Sequence, residues 1–472
     1  MIYDGDCRFC GKWIRRWKES TGEKVEYARS QDVGADFPEI PAERYDAAVQ
    51  WVEPGGQRAE GAEAVFRVLA TANWRGRLLL WLFLKVGFFA WACRSSYAFV
   101  ARHRAGFSLL TRWLWGESVE RPTYAIASWL FLRALAVIYL IAFFSYWRQT
   151  DGLISSTGIL PFQNFLLAAR ENLGMEAFWK APTLGWLWQH DALPHLLCAG
   201  GVVLSVGLFF GWLPGPILIL LWAFYLSLTV MGQVFYNFQW DVLLLEAGFL
   251  AIFVAPWHRA TWRHSGNPPS PARLLMVWLL FRLIFSAGVV KFSSGDSTWA
   301  QLTALDFHFW TQPIPDWIAW YANLLPAPLK TAGVVLMFGV ELLLPLLFFT
   351  PRRLRFVAFS GTVLLQLLIL ATGNYGFFNL LTLALALWLM DDLQWPGGLM
   401  SWVGSARVRY LPRRVAAGVA LAIFVLTLAP FLGIFRQPMP LLRPLEWAYG
   451  YIAPFRSING YGLFAVMTTQ RR

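Results

Sequence analysis

Cysteine is scarce in this chain. Four among 472 residues are too few for a disulfide framework, and only Cys7 and Cys10 lie close together. No second CxxC and no Cys/His pair completes a set of four zinc ligands, so neither a metal nor another cofactor is expected. Charge is also sparse at 14%, against 57% hydrophobic residues, a balance that excludes an ordinary soluble protein of this length. Acidic residues are outnumbered 28 to 40 by Lys and Arg. The cations fall in short clusters between apolar runs, without the interleaved basic and aromatic patch that grips a phosphate backbone, which argues against nucleic acid. An inverted repeat of broken helices, frequent in transporters, is not apparent. No cleavable leader is expected, because the N-terminus leads directly into a polar, Cys-bearing segment.

What is present is apolar length. Several segments exceed the roughly eighteen residues needed to cross a bilayer, so the chain reads as an all-α polytopic membrane bundle behind a small N-terminal domain. Nine spans are expected, at about 123–147, 193–213, 214–232, 239–256, 272–292, 329–350, 354–371, 376–390 and 414–434. An odd number places the termini on opposite sides. The cluster Arg102, His103, Arg104, Arg112 and Arg121 flanks the first span, and the HRATWRHSGNPPSPAR loop, PRRLR and the stretch with Arg407, Arg409, Arg413 and Arg414 follow later. With these inside, the positive-inside rule is met in an inner membrane, with the N-terminal domain cytoplasmic and the C-terminus outside. The 27 Trp residues suit interfacial belts and core.

Residues 1–116 read as an α/β domain. MIY is a short apolar start, GKWIRRWKE a basic amphipathic helix, YDAAVQWV a strand, EPGGQ a hairpin turn and GAEAVFRVLATA a helix. Leu78–Cys93 is apolar but short for a span, and is expected to pack on the domain or lie in the membrane interface. Cys7 and Cys10 sit where a strand and turn feed a helix. There the helix dipole and free N–H groups favour a thiolate, which is redox geometry. YDGDCRFC, the later GAEAVFRVLA and SYAFVARHR resemble the DCC family of thiol-disulfide oxidoreductases. That resemblance implies a thioredoxin-like fold, with Asp4, Gly5, Asp6, Cys7 and Cys10 on the family motif and a thiol redox partner. In a reducing compartment the pair would rest as a dithiol, with Cys7 attacking and Cys10 resolving. Cys93 and Cys198 are isolated and read as packing.

Residues 117–472 form the membrane part, organised around Arg273–Pro328. Some twenty apolar residues there carry Arg282 near mid-depth and Lys291 at one end. A cation in lipid persists only beside a partner or a wet cavity. From depth along opposed helices, Asp241 and Lys291 fall near the outer interface, and Glu246, Arg282, Glu341 and Arg133 progressively deeper. The expected pairs are Asp241 with Lys291 and Glu246 or Glu341 with Arg282, leaving Arg133 to the remaining acid or a cavity. Such pairs could simply hold the bundle together, or could form a site. In the outer loop Asp306 and His308 are an acid/base candidate, and Gln366, Asn374 and Tyr375 could line the same cavity.

KFSSGDSTWAQLTALDFHFWTQPIP, DGLISSTGILPFQNFL, QWDVLLLEAGFLAIF, GNYGFFNLLTLAL and PFRSINGYGLFAVMTTQR resemble the lipase maturation factor family. The resemblance covers nearly all of 123–472, and the soluble β-rich domain that generally follows in family members is expected to be absent. It implies a membrane protein for the folding or maturation of exported clients such as lipases, in contact with membrane lipid. The alternative is a membrane enzyme with a catalytic cavity in the bundle, carboxylase-like or lipid- or quinone-modifying, with Lys291 as a candidate.

Overall fold

The structure is a computed structural model that describes residues 1–258, 263–405, 408–435 and 440–470. Arg407 and residues 259–262 of the basic loops lie outside the described residues. The chain divides into two compact units, Met1–Pro122 with Pro351–Arg353, and Thr123–Thr350 with Leu354–Arg472.

The first unit is built on a small mixed sheet of β1 (Ile2–Tyr3), β2 (Ala28–Arg29), β3 (Gln50–Val52) and β4 (Arg58–Glu60), in the order β2-β1-β3-β4. Ile2 pairs in parallel with Ala28 and antiparallel with Gln50, and Trp51 pairs antiparallel with Ala59. The EPGGQ turn closes through Gly56 N–H to Glu53 O at 2.9 Å, with Gly56 at φ 80°. That left-handed position suits glycine. The strand expected over YDAAVQWV is only three residues long. Its first half belongs instead to the helix Ala42–Ala47, where buried Tyr45 packs with Ile2 and Ile40. The two alanines favour that local helix over an extension of β3. Helix Gly61–Ala72 buries Ala64 and Val68 against Ile14 and Val49. The apolar run 78–93 is not a single helix. Trp74–Lys85 and Gly87–Arg102 meet at 104° about extended Val86.

The second unit is mostly helical. Seven helices among the described residues are long and apolar enough to span a membrane: Ala125–Trp147, Ala192–Phe209, Pro214–Met231, Ser270–Ser293, Ala327–Phe349, Arg352–Thr372 and Arg413–Gly433. The count becomes eight if the bent pair of the first unit is one span. At the other two expected places stand shorter helices, Gln239–Val254 of 16 residues and Phe378–Ala386, which continues as a tighter turn to Leu389. Both are buried among their neighbours, which lets polar residues stand where lipid would exclude them. The count of nine spans is thus seven by length, with two shorter helices in the remaining places.

Two ends of this unit can be followed through its contacts. At one, Trp179 donates to Tyr451 O at 2.7 Å, Trp299 to Phe464 O at 3.0 Å and Met467 N–H to Asp296 at 2.7 Å. Segments 148–191, 294–326 and 440–470 therefore gather there. At the other, Asp392 accepts from the N–H groups of Ala125 and Ile126 at 3.0 and 2.9 Å, a carboxylate on a helix N-terminus. Asp391 beside it holds Arg355 at 3.0 Å, and Arg355 also reaches Tyr124. Helix Gln239–Val254 begins near the first end and is followed by Pro256, whose carbonyl accepts from Gly215 N–H at 2.9 Å. Lipid is as apolar as leucine, so close packing and buried polar contacts such as these hold the helices together.

Candidate functional site

In the first unit, Cys7 is the N-cap of helix Arg8–Thr21, with extended backbone at φ −75° and ψ 100°. Its Sγ accepts from Cys10 N–H at 3.2 Å and is joined to Cys10 in a disulfide, with Cα atoms 5.2 Å apart. The two sulfurs are thus close enough to exchange between the dithiol and the disulfide without moving the helix start. Half-buried Cys7 at a helix start is placed where backbone donors can stabilise a thiolate. Among the described residues, no hydrogen bond joins Asp4 or Asp6 to the sulfurs. Asp4 caps Asp6 N–H at 3.0 Å, and Gln31 Nε2 donates to both carboxylates, at 3.2 and 3.4 Å. Gln31 also accepts from Gly5 N–H at 3.0 Å, so it sets the turn that carries the thiols. Sequence reasoning missed Gln31, since a polar residue 24 positions past Cys7 announces nothing locally.

In the second unit Arg282 is buried, 1% exposed. It pairs with fully buried Glu246, and its other terminal nitrogen donates to Asn459 O at 2.9 Å. The second oxygen of Glu246 accepts from Asn459 N–H, Asn459 Nδ2 and Tyr461 OH, at 2.9, 3.1 and 2.8 Å. Of the two partners considered for Arg282, Glu246 is the one in place. The tail segment that completes the pair was not anticipated. Its signal was the compact SINGYG string, in which Asn and Tyr alternate with the glycines.

Lys291 does not pair with Asp241. Its ammonium lies 2.8 Å from both oxygens of Glu341, and both residues are buried. Glu341 sits in a π-helical turn, Gly339–Leu343, and π turns of this kind frequently mark functional sites. Gly288 permits the approach, because a Cβ there would come within 2.7 Å of Leu342 and 3.0 Å of Glu341. Asp241 instead accepts from Tyr225 OH and from Phe238 N–H, capping its own helix. Depth gave Asp241 and Lys291 the same height, but height does not say which helices are neighbours. Arg133 lies over the Trp129 ring, 5.2 Å from its centre.

Beside the Lys291–Glu341 pair is a cavity of about 770 Å³, walled by leucine, valine and phenylalanine. Its polar groups are few: that ion pair, His308, Tyr375, Gln366 and Asn379, with Lys330, Ser360 and Thr372 at its edge. Tyr375 donates to Gln312 at 2.9 Å and lies 3.4 Å from His308 Nε2. Burial in the apolar wall, aided by the Lys291 ammonium, pushes His308 down to about 4, so it is neutral near pH 7. Burial also pushes the Tyr375 hydroxyl up to about 12. Asp306 and His308 do not form the expected acid/base couple. Asp306 pairs with Lys330 at 2.6 Å while His308 faces Tyr375, because residues two apart on a helix point in different directions. Asn374 is a turn residue, accepting from Gly376 N–H at 3.0 Å. The ring of Phe464 packs edge-on against both His308 and Tyr375, so the tail closes this face of the cavity.

The comparisons with known proteins follow the same division. Residues 1–109 match the DCC1-like thiol-disulfide oxidoreductase model, and residues 126–397 match the lipase maturation factor transmembrane domain. The second match covers more than half of the chain. The chain belongs to the lipase maturation factor family. It is 47% identical to lipase maturation factor 2 of Gallus gallus over 290 residues, 59% of this chain and 39% of the relative. Lipase maturation factor 1 of Bos taurus is 31% identical over 371 residues, 74% of this chain and 66% of the relative. The chain thus spans about two fifths of the length of its lipase maturation factor 2 relatives. No solved structure matches it. This family membership, with the apolar helices, makes the chain a multi-pass membrane protein.

Proposed function

We propose that this lipase maturation factor family member serves the folding or maturation of exported proteins such as lipases, with its first unit exchanging thiols and disulfides. The observation that carries the redox half is the Cys7–Cys10 pair at the start of helix Arg8–Thr21. The sheet order β2-β1-β3-β4 supports a thioredoxin-like reading of this unit. In the reaction the Cys7 thiolate attacks one sulfur of a client or partner disulfide, forming a mixed disulfide and releasing the first thiolate. Cys10 then attacks Cys7 Sγ, the second client thiolate leaves, and the enzyme pair is left oxidised. Two electrons pass from the pair to the client, and a separate thiol donor restores the dithiol.

The positive-inside pattern supports nine crossings in an inner membrane, with the CxxC unit cytoplasmic and the tail outside. In that arrangement the pair acts as a reductase on the cytoplasmic side. A thiol relay through the membrane would need a further Cys pair. Buried Cys198 and partly buried Cys93 are both free. A second reading, a membrane enzyme, is favoured by the cavity that gathers Lys291, Glu341, His308 and Tyr375.

The test uses the full chain in lipid nanodiscs with a model disulfide. The wild type reduced beforehand turns over, Cys7→Ser is inactive, Cys10→Ser accumulates a mixed disulfide, and Cys198→Ser is unchanged. A Cys7→Ser protein that still exchanges thiols, or a wild type that never does, would remove the redox half of the proposal.

A further inference from the structure

The cavity beside Lys291 has a wall open to the side. Leu329 and Leu336 on helix Ala327–Phe349, and Phe356, Val357, Leu364 and Leu368 on helix Arg352–Thr372, line it and are each about half exposed. Both helices are of spanning length, so in a bilayer these side chains meet acyl chains rather than water. A volume of about 770 Å³ is within the range of small-molecule sites, roughly 300–1,000 Å³. Flexible leucine, valine and phenylalanine walls between two helices suit a flexible chain that enters sideways.

The polar end of the cavity says what the head of that chain must be. Its formal charges cancel, because Glu341 holds the Lys291 ammonium with both oxygens and Asp306 holds Lys330 at 2.6 Å. His308 is neutral near pH 7. A charged headgroup would enter without a free counter-charge, which burial penalises heavily. What the cavity does offer is a vacant hydrogen bond. Asn379 is 0% exposed and lines the cavity; its Nδ2 donates to Gln366 Oε1 at 2.8 Å, and among the described residues its Oδ1 meets no donor. A buried amide oxygen without a donor is uncommon in a native fold and asks for an explanation. A carbonyl-only or pure hydrocarbon ligand would leave it unmet, whereas a hydroxyl satisfies it and can accept in return.

We propose that this cavity binds a neutral, hydroxyl-bearing acyl lipid of the monoacylglycerol or diacylglycerol class, its chain between helices Ala327–Phe349 and Arg352–Thr372 and its hydroxyl on the Asn379–Gln366 amide pair. The site is independent of the thiol chemistry of the first unit, and it requires no reaction at Lys291. Phe464 of the tail, against His308 and Tyr375, makes the lid of the head region part of the same structure.

The experiment photolabels the full chain in nanodiscs with one diazirine-bearing acyl chain presented as a monoacylglycerol, a free fatty acid, a phosphatidylglycerol or a sterol ester. The monoacylglycerol labels residues of the two helices at least about tenfold above the others, a difference of about 1.4 kcal/mol in binding. Leu364→Trp, which fills the cavity from its exposed side, and Asn379→Leu, which removes the amide, each lower that labelling by about tenfold at unchanged elution volume. Equal labelling by all four probes, or labels that map away from these helices, would overturn the proposal. Preferred labelling by the fatty acid or the phosphatidylglycerol would overturn it as well, since the site would then select an anion. The wild-type ranking and label map decide the matter even if a variant does not fold, and thiol activity plays no part in the readout.

Discussion

The backbone N–H of Asn459 donates to Glu246 Oε2 at 2.9 Å across 213 residues of chain. With Asn459 Nδ2 and Tyr461 OH on the same oxygen, and Asn459 O on Arg282, the tail satisfies atoms of the buried ion pair that the helices leave open. A buried ion pair stabilises only when its remaining lone pairs and protons are met. The tail segment is therefore an integral part of the bundle.

Removing these contacts should cost in proportion to what is left unmet. Asn459→Ala and Tyr461→Phe each remove one side-chain donor from Glu246, about 1–2 kcal/mol in a membrane interior. Glu246→Leu strands Arg282 and should cost about 3–5 kcal/mol, while Glu246→Leu combined with Arg282→Met recovers most of it. Thermal unfolding of the purified full chain measures the order. A double variant no more stable than Glu246→Leu would mean that the pair is not what the single change disrupts.

The Lys291–Glu341 pair depends on helix approach as well as on charge. Lys291→Met leaves Glu341 buried without its cation, and a loss of about 3–5 kcal/mol is expected. Gly288→Val removes no charge, yet should lower folded yield comparably, because its side chain would occupy the space held by Leu342 and Glu341. Detergent-solubilised yield and elution profile report both. A well-folded Gly288→Val protein would show that the π-helical turn can retreat without loss.

Much of this architecture was legible in the sequence. Apolar length located the seven long helices, and the spacing of Cys7 and Cys10 put the thiols at a helix start, because both signals are local. Burial of Arg282 and Lys291 followed from the cost of charge in lipid. Their partners were only half legible. Helix rise fixes how deep Asp241 and Glu341 sit, but which helices touch depends on packing, and the close approach at Gly288 is a property of two distant segments. Gln31, Asn459 and the Phe464 lid act across the chain in the same way. The helix Ala42–Ala47, taken for strand, shows the reverse case, where a short local propensity overrode an apolar pattern.

Sidedness can be measured with reporters. A fusion at Gln163 should be active outside and one at Gly266 inside, with Gly398 inside and the tail outside if helix Phe378–Ala386 and its extension to Leu389 cross. Gly398 outside with the tail inside would mean that this short helix turns back, reducing the crossings by one. Reversal at Gln163 and Gly266 together would place Cys7 and Cys10 on the oxidising side and make a disulfide-forming role the better reading of the pair.

The final prediction is a pH dependence. His308 is held at about 4 against an ordinary value of 6.5, by burial and by the Lys291 ammonium, and its other neighbours, Tyr375 and Phe464, are uncharged. Between pH 6.5 and about 4 the unfolded chain takes up a proton on this imidazole and the folded chain does not. Stability supplied by the neutral form is thus complete above pH 6.5, falls as pH drops through that window, and changes no further below about 4. The full chain should unfold at a lower temperature at pH 4.5 than at pH 7.5. His308→Phe, which fills the same wall without titrating, should shrink that difference even if its stability at pH 7.5 is altered. An identical difference in wild type and His308→Phe would assign the pH dependence to other groups and leave His308 without a titrating role.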